Sequence, residues 1–159
     1  MLTFVPIFIS TMNKISFCTI VCACSLLSAA CHDKSSKQEQ VIAEKAVSFA
    51  RSFYNLDRET AIGTCTPEYR KFIDYTFSNI TEEDLAIINQ APPTEVLIKN
   101  ISWENDSCAY VTCCVSNAFT ADSIACPIRI VPKTERTYLL VCRSGEWLVR
   151  TEAPQQNEK

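Results

Sequence analysis

The chain has 159 residues, a formal net charge of −3 and 47% hydrophobic residues. Lys14 is the sole charge before Cys31, so the rest of the chain stands one positive charge lower, at a formal −4, which excludes the basic face that nucleic-acid binders need. With Gly63 and Gly145 as the only glycines, glycine-rich phosphate loops are excluded too.

The N-terminal stretch decides the address. Counted from Met1, its apolar run passes awkwardly through Lys14. Counted from Met12, Asn13-Lys14 is a short basic segment, Ile15 to Leu27 an apolar core, and Ser28-Ala29-Ala30 the small residues that precede cleavage. Met12 is therefore the preferred start. The core is about thirteen residues long, against about twenty for a bilayer-spanning helix, so 1–30 reads as a cleaved signal peptide. Leu27-Ser28-Ala29-Ala30-Cys31 resembles the bacterial lipobox, although Ser28 stands where a large aliphatic residue is usual. The resemblance implies a diacylglycerol thioether on Cys31, cleavage before it and acylation of the new amine. The rival Val21-Cys22-Ala23-Cys24 leaves an apolar core of only about six residues, below the range of signal cores. Ordinary secretion with Cys31 free is the other alternative. Residues 31–37 form a polar tether that cannot offset its own ordering by burial. Two or three acyl chains would hold the protein stably in the bacterial cell envelope, facing the periplasm or the surface.

In 38–56, Ile42, Ala46, Phe49, Phe53 and Leu56 follow the four-three spacing of one helical stripe. Asp57 caps a short second helix ending near Gly63. Thr66-Pro67-Glu68 opens a third, whose inner face is Tyr69, Phe72, Ile73 and Phe77. Thr81-Glu82-Glu83-Asp84 opens a fourth, with Leu85 and Ile88, stopped at Ala91-Pro92-Pro93.

After Pro93 the period becomes two. Val96 and Ile98 alternate with Leu97, Lys99 and Ile101, and Glu104 to Ser107 reads as a turn. Cys108 to Ala118 puts Ala109, Val111, Cys113 and Val115 on one face and Tyr110, Thr112 and Cys114 on the other. Residues 128–131, between Pro127 and Pro132, read as an edge strand or extended loop. Thr137 to Arg143 and Glu146 to Thr151 are strands joined by Ser144-Gly145, and 153–159 is a polar tail. Helices first and strands second predict an α+β fold, with N-terminal helices packed on a curved antiparallel sheet. Phe49, Phe53, Phe72, Val111, Leu140 and Trp147 are its expected core, with Trp103 as a further plug.

The lipobox, the helix ending at Asn55-Leu56-Asp57-Arg58-Glu59, the Cys65-Thr66-Pro67-Glu68 helix start and the closing Leu139 to Val149 hairpin together resemble a known superfamily. It is the nuclear-transport-factor-2-like (cystatin-like) cone, in its branch of small bacterial lipoproteins of unassigned function. The resemblance spans about residues 38–152 and implies a sheet wrapped over helices, often with a pocket at the open end. The cysteine load and the Pro-flanked stretch 119–132 depart from it.

Six cysteines follow Cys31: Cys65, Cys108, Cys113, Cys114, Cys126 and Cys142. An even count in an exported chain invites disulfides, whereas free Cys is commonly a small buried hydrophobe. A loop centred near Thr120 would bring Cys114 to Cys126, the slightly favoured pairing. A long hairpin centred near Ala125 would set Cys108 opposite Cys142, and one register excludes the other. His32, the only histidine, sits in the tether, so catalytic triads are excluded, and no metal or cofactor is expected. Asp74, Glu82, Glu83 and Asp84 read as solvated helix faces and caps. Arg129, Lys133, Arg136, Arg143 and Arg150 read as a solvated sheet edge. Tyr110, Tyr138 and Asp74 could imitate the Tyr–Asp set of cone-fold isomerases, though no motif joins them. The favoured function is a non-catalytic cone binding a small ligand or protein partner. A small-molecule isomerase or dehydratase and a structural homodimerisation module are the alternatives. A buried carboxylate or Tyr with a displaced pKa beside an apolar cavity would mark the enzyme.

Overall fold

The computed structural model describes residues 36–120 and 127–152. The chain divides into two compact units, Met1–Gln38 and Glu39–Lys159, and the architecture below is that of the second. Met12, the leader, Cys31, Cys126 and the tail 153–159 lie outside the described residues.

Helix α1 (residues 36–54, of which 39–54 belong to this unit) buries the stripe its spacing calls for: Ile42, Ala46, Phe49, Ala50, Phe53 and Tyr54. It ends in a tight reversal. The Leu56 amide donates to the Phe53 carbonyl (3.2 Å) and the Asp57 amide to that of Ser52 (2.8 Å), with Leu56 at φ +59°. That left-handed position usually falls to glycine. Here the Leu56 side chain packs against the core, which offsets the backbone cost. The reversal presents Asp57 to cap α2 (Arg58–Gly63) through the Thr60 amide at 3.1 Å. Helix α3 (Pro67–Ser78) starts on Pro67 and buries Tyr69 and Ile73. Helix α4 (Glu82–Gln90) opens on a complete capping box between Thr81 and Asp84.

Strands β1 (Glu95–Asn105), β2 (Cys108–Thr120), β3 (Arg129–Arg143) and β4 (Glu146–Glu152) form one antiparallel sheet in the order β1-β2-β3-β4. Helices on a sheet give the expected α+β class. Ala109, Val111, Cys113 and Val115 are fully buried on the face toward the helices, beside Tyr138, Leu140, Trp147 and Val149. The outer edge of β4 is covered rather than exposed. The loop between α2 and α3 bridges Cys65 to Val149, with Thr66 N donating to Val149 O at 2.8 Å and Val149 N to Thr64 O at 3.0 Å.

Several expectations change. Strand β2 runs on to Thr120 and pairs with Arg129, so a loop centred near Thr120 is excluded and 119–120 and 129–132 are strand rather than insert. The pairing is symmetric about 124–125, close to the long hairpin expected near Ala125. The two expected pieces 128–131 and 137–143 are one strand through Pro132. The ladder to β4 begins only at Tyr138, which leaves that side of β3 open at Pro132, and the ladder to β2 skips Pro132 between Lys133 and Val131. In β1 a bulge between Ile98 and Asn100 adds one residue, which returns Ile101 to the inner face opposite Val111 instead of the outer one. Phe72 is not core: it is 48% exposed, stacked on the buried Tyr69 ring. Trp147 is buried, whereas Trp103 is 36% exposed and meets Trp147 edge-on at 5.7 Å.

Candidate functional site

A cavity of about 410 Å³ lies between α1, α3, α4 and the ends of β2, β3 and β4. Its walls are aromatic. Phe53 stacks on Phe119 with centroids 5.6 Å apart, Tyr54 meets Phe119 edge-on at 5.3 Å, and Phe72 and Tyr75 stand on α3 at the rim. These rings follow from the helical stripe of α1 and from α3 turning a second, unburied face toward the opening.

One polar cluster interrupts this wall. Arg136 follows the period-two alternation of Tyr138 and Leu140 and therefore points inward from β3. Its Nε donates to the Tyr54 hydroxyl at 3.1 Å, and its Nη1 lies 3.3 Å from Glu152 Oε1. The two charged side chains are 17% and 29% exposed. Glu152 reaches this face because a bulge at Leu139/Leu140 shifts the phase of β4, bringing Glu152 opposite Tyr138. Tyr138 lies behind, its hydroxyl buried, electrostatically coupled to Tyr54, and without a well-formed hydrogen bond among the described residues.

Burial sets the protonation pattern. It pushes the Glu152 carboxyl above the usual range, with Arg136 pulling it partly back. Burial and then Glu152 raise the Tyr54 phenol, and Arg136 counters them. Burial, Tyr54 and Glu152 hold Tyr138 well above its ordinary value. Burial pulls Arg136 down, but Tyr54 and Glu152 outweigh it and its pKa rises. The cavity thus presents a fixed cation, a reluctant carboxylate and a neutral phenol.

Asp84 lines the cavity from α4 with a different task. Its Oδ2 accepts from Thr81 N (2.9 Å) and Thr81 Oγ1 (2.8 Å), and its Oδ1 from Ile128 N (3.0 Å). Those bonds hold its carboxyl below the usual range. It is a cap, as expected, but a buried one rather than a solvated one, and it also anchors the approach to β3. A larger groove of about 560 Å³ runs along α1 and α2 past Ala43, Val47 and Thr60. No aromatic ring or buried charge lines it, so it offers less to a ligand.

The residues singled out from the sequence are scattered. Asp74 is at the surface in an ion pair with Arg58, Tyr110 points to the outer sheet face opposite Leu139, and only Tyr138 approaches the cavity. The proposed Tyr–Asp set does not assemble. Cys65, Cys108, Cys113, Cys114 and Cys142 are free thiols. Cys114 pairs with Glu135 across the ladder, and Cys126 lies outside the described residues. Cys108 pairs with Val141, one residue short of Cys142, and that step turns Cys142 to the opposite face. Arg136 is not a solvated edge residue. It was legible in principle, as a charge at an inward position of strand 137–143 extended by one residue. Glu152 was not, because its face depends on a bulge. Among the described residues no three His, Cys, Asp or Glu side chains converge on a metal site.

No family model matches the chain, and comparison with curated proteins finds no match. Among solved structures it is similar to an NTF-2-like protein of unknown function from Shewanella oneidensis MR-1. The identity is 9% and the TM-score 0.51, over 72% of this chain and 96% of that one. It also resembles a putative NTF2-like transpeptidase from Campylobacter jejuni at 16% identity and TM-score 0.45, over 67% and 94% of the two chains. A function-unknown protein from Mycobacterium tuberculosis matches at 13% identity and TM-score 0.45, over 78% and 76%. The Shewanella likeness establishes the NTF2-like fold of this chain and nothing about its activity.

Proposed function

We propose that this is an exported lipoprotein, tethered to a bacterial envelope membrane through Cys31, whose cone domain binds a small, largely apolar ligand. The observation that carries the binding role is the aromatic cavity of about 410 Å³ around the Arg136–Glu152 pair. Its volume falls within the range of about 300–1,000 Å³ typical of small-molecule sites, and a few polar groups in an apolar wall fix a ligand's orientation. The tether rests on the leader and on Leu27-Ser28-Ala29-Ala30-Cys31 alone.

Native mass spectrometry of protein extracted from its own host tests both parts. The expected spectrum carries the acyl mass on a chain beginning at Cys31 and the added mass of a retained small molecule. In Cys31→Ser the acyl mass should vanish and the protein should leave the membrane fraction. Unchanged partition and unchanged mature mass in that variant overturn the tether. A spectrum with no mass beyond the chain and its acyl groups overturns the binding role.

One observation favours a second reading, proton-transfer catalysis. Glu152 is a carboxyl raised by burial beside an apolar cavity, with the Tyr54 hydroxyl near it through Arg136. The ion pair to Arg136 weighs against it, because it keeps the carboxylate occupied in the ground state.

A further inference from the structure

Resting on the binding role above, we infer that the cavity selects an organic cation, a quaternary or tertiary ammonium group on a compact apolar body, seated between the α3 rim rings and the Glu152 carboxylate. Three observations converge on this class.

The first is charge. The charged groups in the described lining are Asp84, Glu152 and Arg136, one negative charge in excess. Arg136 already spends Nε on Tyr54 and Nη1 on Glu152, so its positive charge is answered from within the cluster. An anionic ligand reaching the remaining guanidinium donors would lie beside the Glu152 carboxylate and share one cation with it, a costly arrangement away from water. A cation adds the missing charge and disturbs neither bond.

The second is the placement of the rings. Phe72 and Tyr75 are 48% and 54% exposed, whereas most of the other aromatic rings among the described residues are buried, and both line the cavity. Phe72 lies nearly parallel to Tyr69, 3° apart at 5.2 Å, so one of its faces is covered and the exposed surface is the other face and its rim. Exposed aromatic surface lining the same cavity as a carboxylate attracts a weakly hydrated cation through the negative ring quadrupole. Tyr54, Phe53 and Phe119 close the apolar side.

The third is hydration. Burial raises the Glu152 carboxyl even with Arg136 at 3.3 Å, so one guanidinium does not fully offset what the carboxylate lost from water. A second positive charge placed at the cavity side would.

Three probes of one shape and different charge test this on the full chain: choline, its neutral isostere 3,3-dimethylbutan-1-ol, and the anion 3,3-dimethylbutanoate. Each is titrated by protein NMR at constant ionic strength. Choline should bind about tenfold more tightly than the alcohol, and the anion should be weakest. Phe72→Ala and Tyr75→Ala, both at exposed positions, should each weaken choline about three- to tenfold and leave the alcohol nearly unchanged. Glu152→Gln should weaken choline by a similar factor. Equal binding of choline and the alcohol, or tighter binding of the anion, overturns the cation class and leaves the cavity a ligand site. Failure of all three to bind also overturns the class, while the mass of the retained host ligand judges the binding role independently.

Discussion

Replacing Arg136 with Met removes the one positive charge that answers Glu152 and keeps most of the side-chain volume. At 3.3 Å and an effective dielectric of about 20, the gross attraction between the two groups is about 5 kcal/mol. Desolvation takes back much of it, since burial already holds Glu152 above the usual carboxylate range. A net coupling of about 1–2 kcal/mol should remain, and a double-mutant cycle with Glu152→Gln isolates it. The pH dependence is the sharper signature. A carboxyl whose folded pKa lies above its unfolded value keeps its proton longer in the folded state, so its contribution to stability falls as pH rises through that window. Removing Arg136 raises the folded pKa further and widens the window. The other ionisable groups around Glu152, namely Tyr54 on α1, Tyr69 on α3, Tyr138 on β3 and Asp84 across the cavity, are shared by both proteins. Urea unfolding at pH 4 and pH 8 should therefore show a small deficit for Arg136→Met at pH 4 and a larger one at pH 8. Equal deficits at the two pH values, or a coupling below about 0.3 kcal/mol, would refute the reasoning.

Other substitutions probe the frame around the cavity. Phe53→Ala, in the aromatic core, should cost about 3–5 kcal/mol in chemical denaturation, whereas the half-exposed Phe72→Ala should cost about 1 kcal/mol or less; similar losses would contradict their placement. Thr81→Ala should cost about 1 kcal/mol by removing the α4 cap. Asp84→Ala should lower the melting temperature further and speed hydrogen exchange at the Ile128 amide, which an unchanged exchange rate would disprove. Because its folded pKa is lowered, the support Asp84 gives is present above the ordinary carboxylate range and fades as pH falls through the folded value, so Ile128 protection should drop in acid. Non-reducing peptide mapping should find no Cys108–Cys142 bridge. In native protein at pH 8, Cys113, fully buried and with its thiol pushed up to about 12, should alkylate far more slowly than Cys108 or Cys142. Preferential labelling of Cys113 would refute the strand faces.

Periodicity and local punctuation determined the elements. Ile42, Ala46, Phe49 and Phe53 form a helical stripe wherever the rest of the chain lies, and Thr66-Pro67 and Thr81 to Asp84 start helices through bonds made within one turn. The period-two run from Ala109 to Val115 named its buried face correctly for the same reason: alternation is a property of the strand itself. Register, phase and charge burial were decided elsewhere. One residue of offset between β2 and β3 separates Cys108 from Cys142, and single-residue bulges return Ile101 to the core and carry Glu152 to the cavity. Nothing local to either strand encodes these steps, because register and bulge are set by how the partner strand pairs. Phe72 shows the same limit: its spacing fits the inner stripe of α3, but α3 presents Tyr69 and Ile73 to the core and turns Phe72 to the cavity rim. The Arg136–Glu152 pair belongs wholly to tertiary structure, since residues sixteen apart in sequence become neighbours only after two strands fix their pairing.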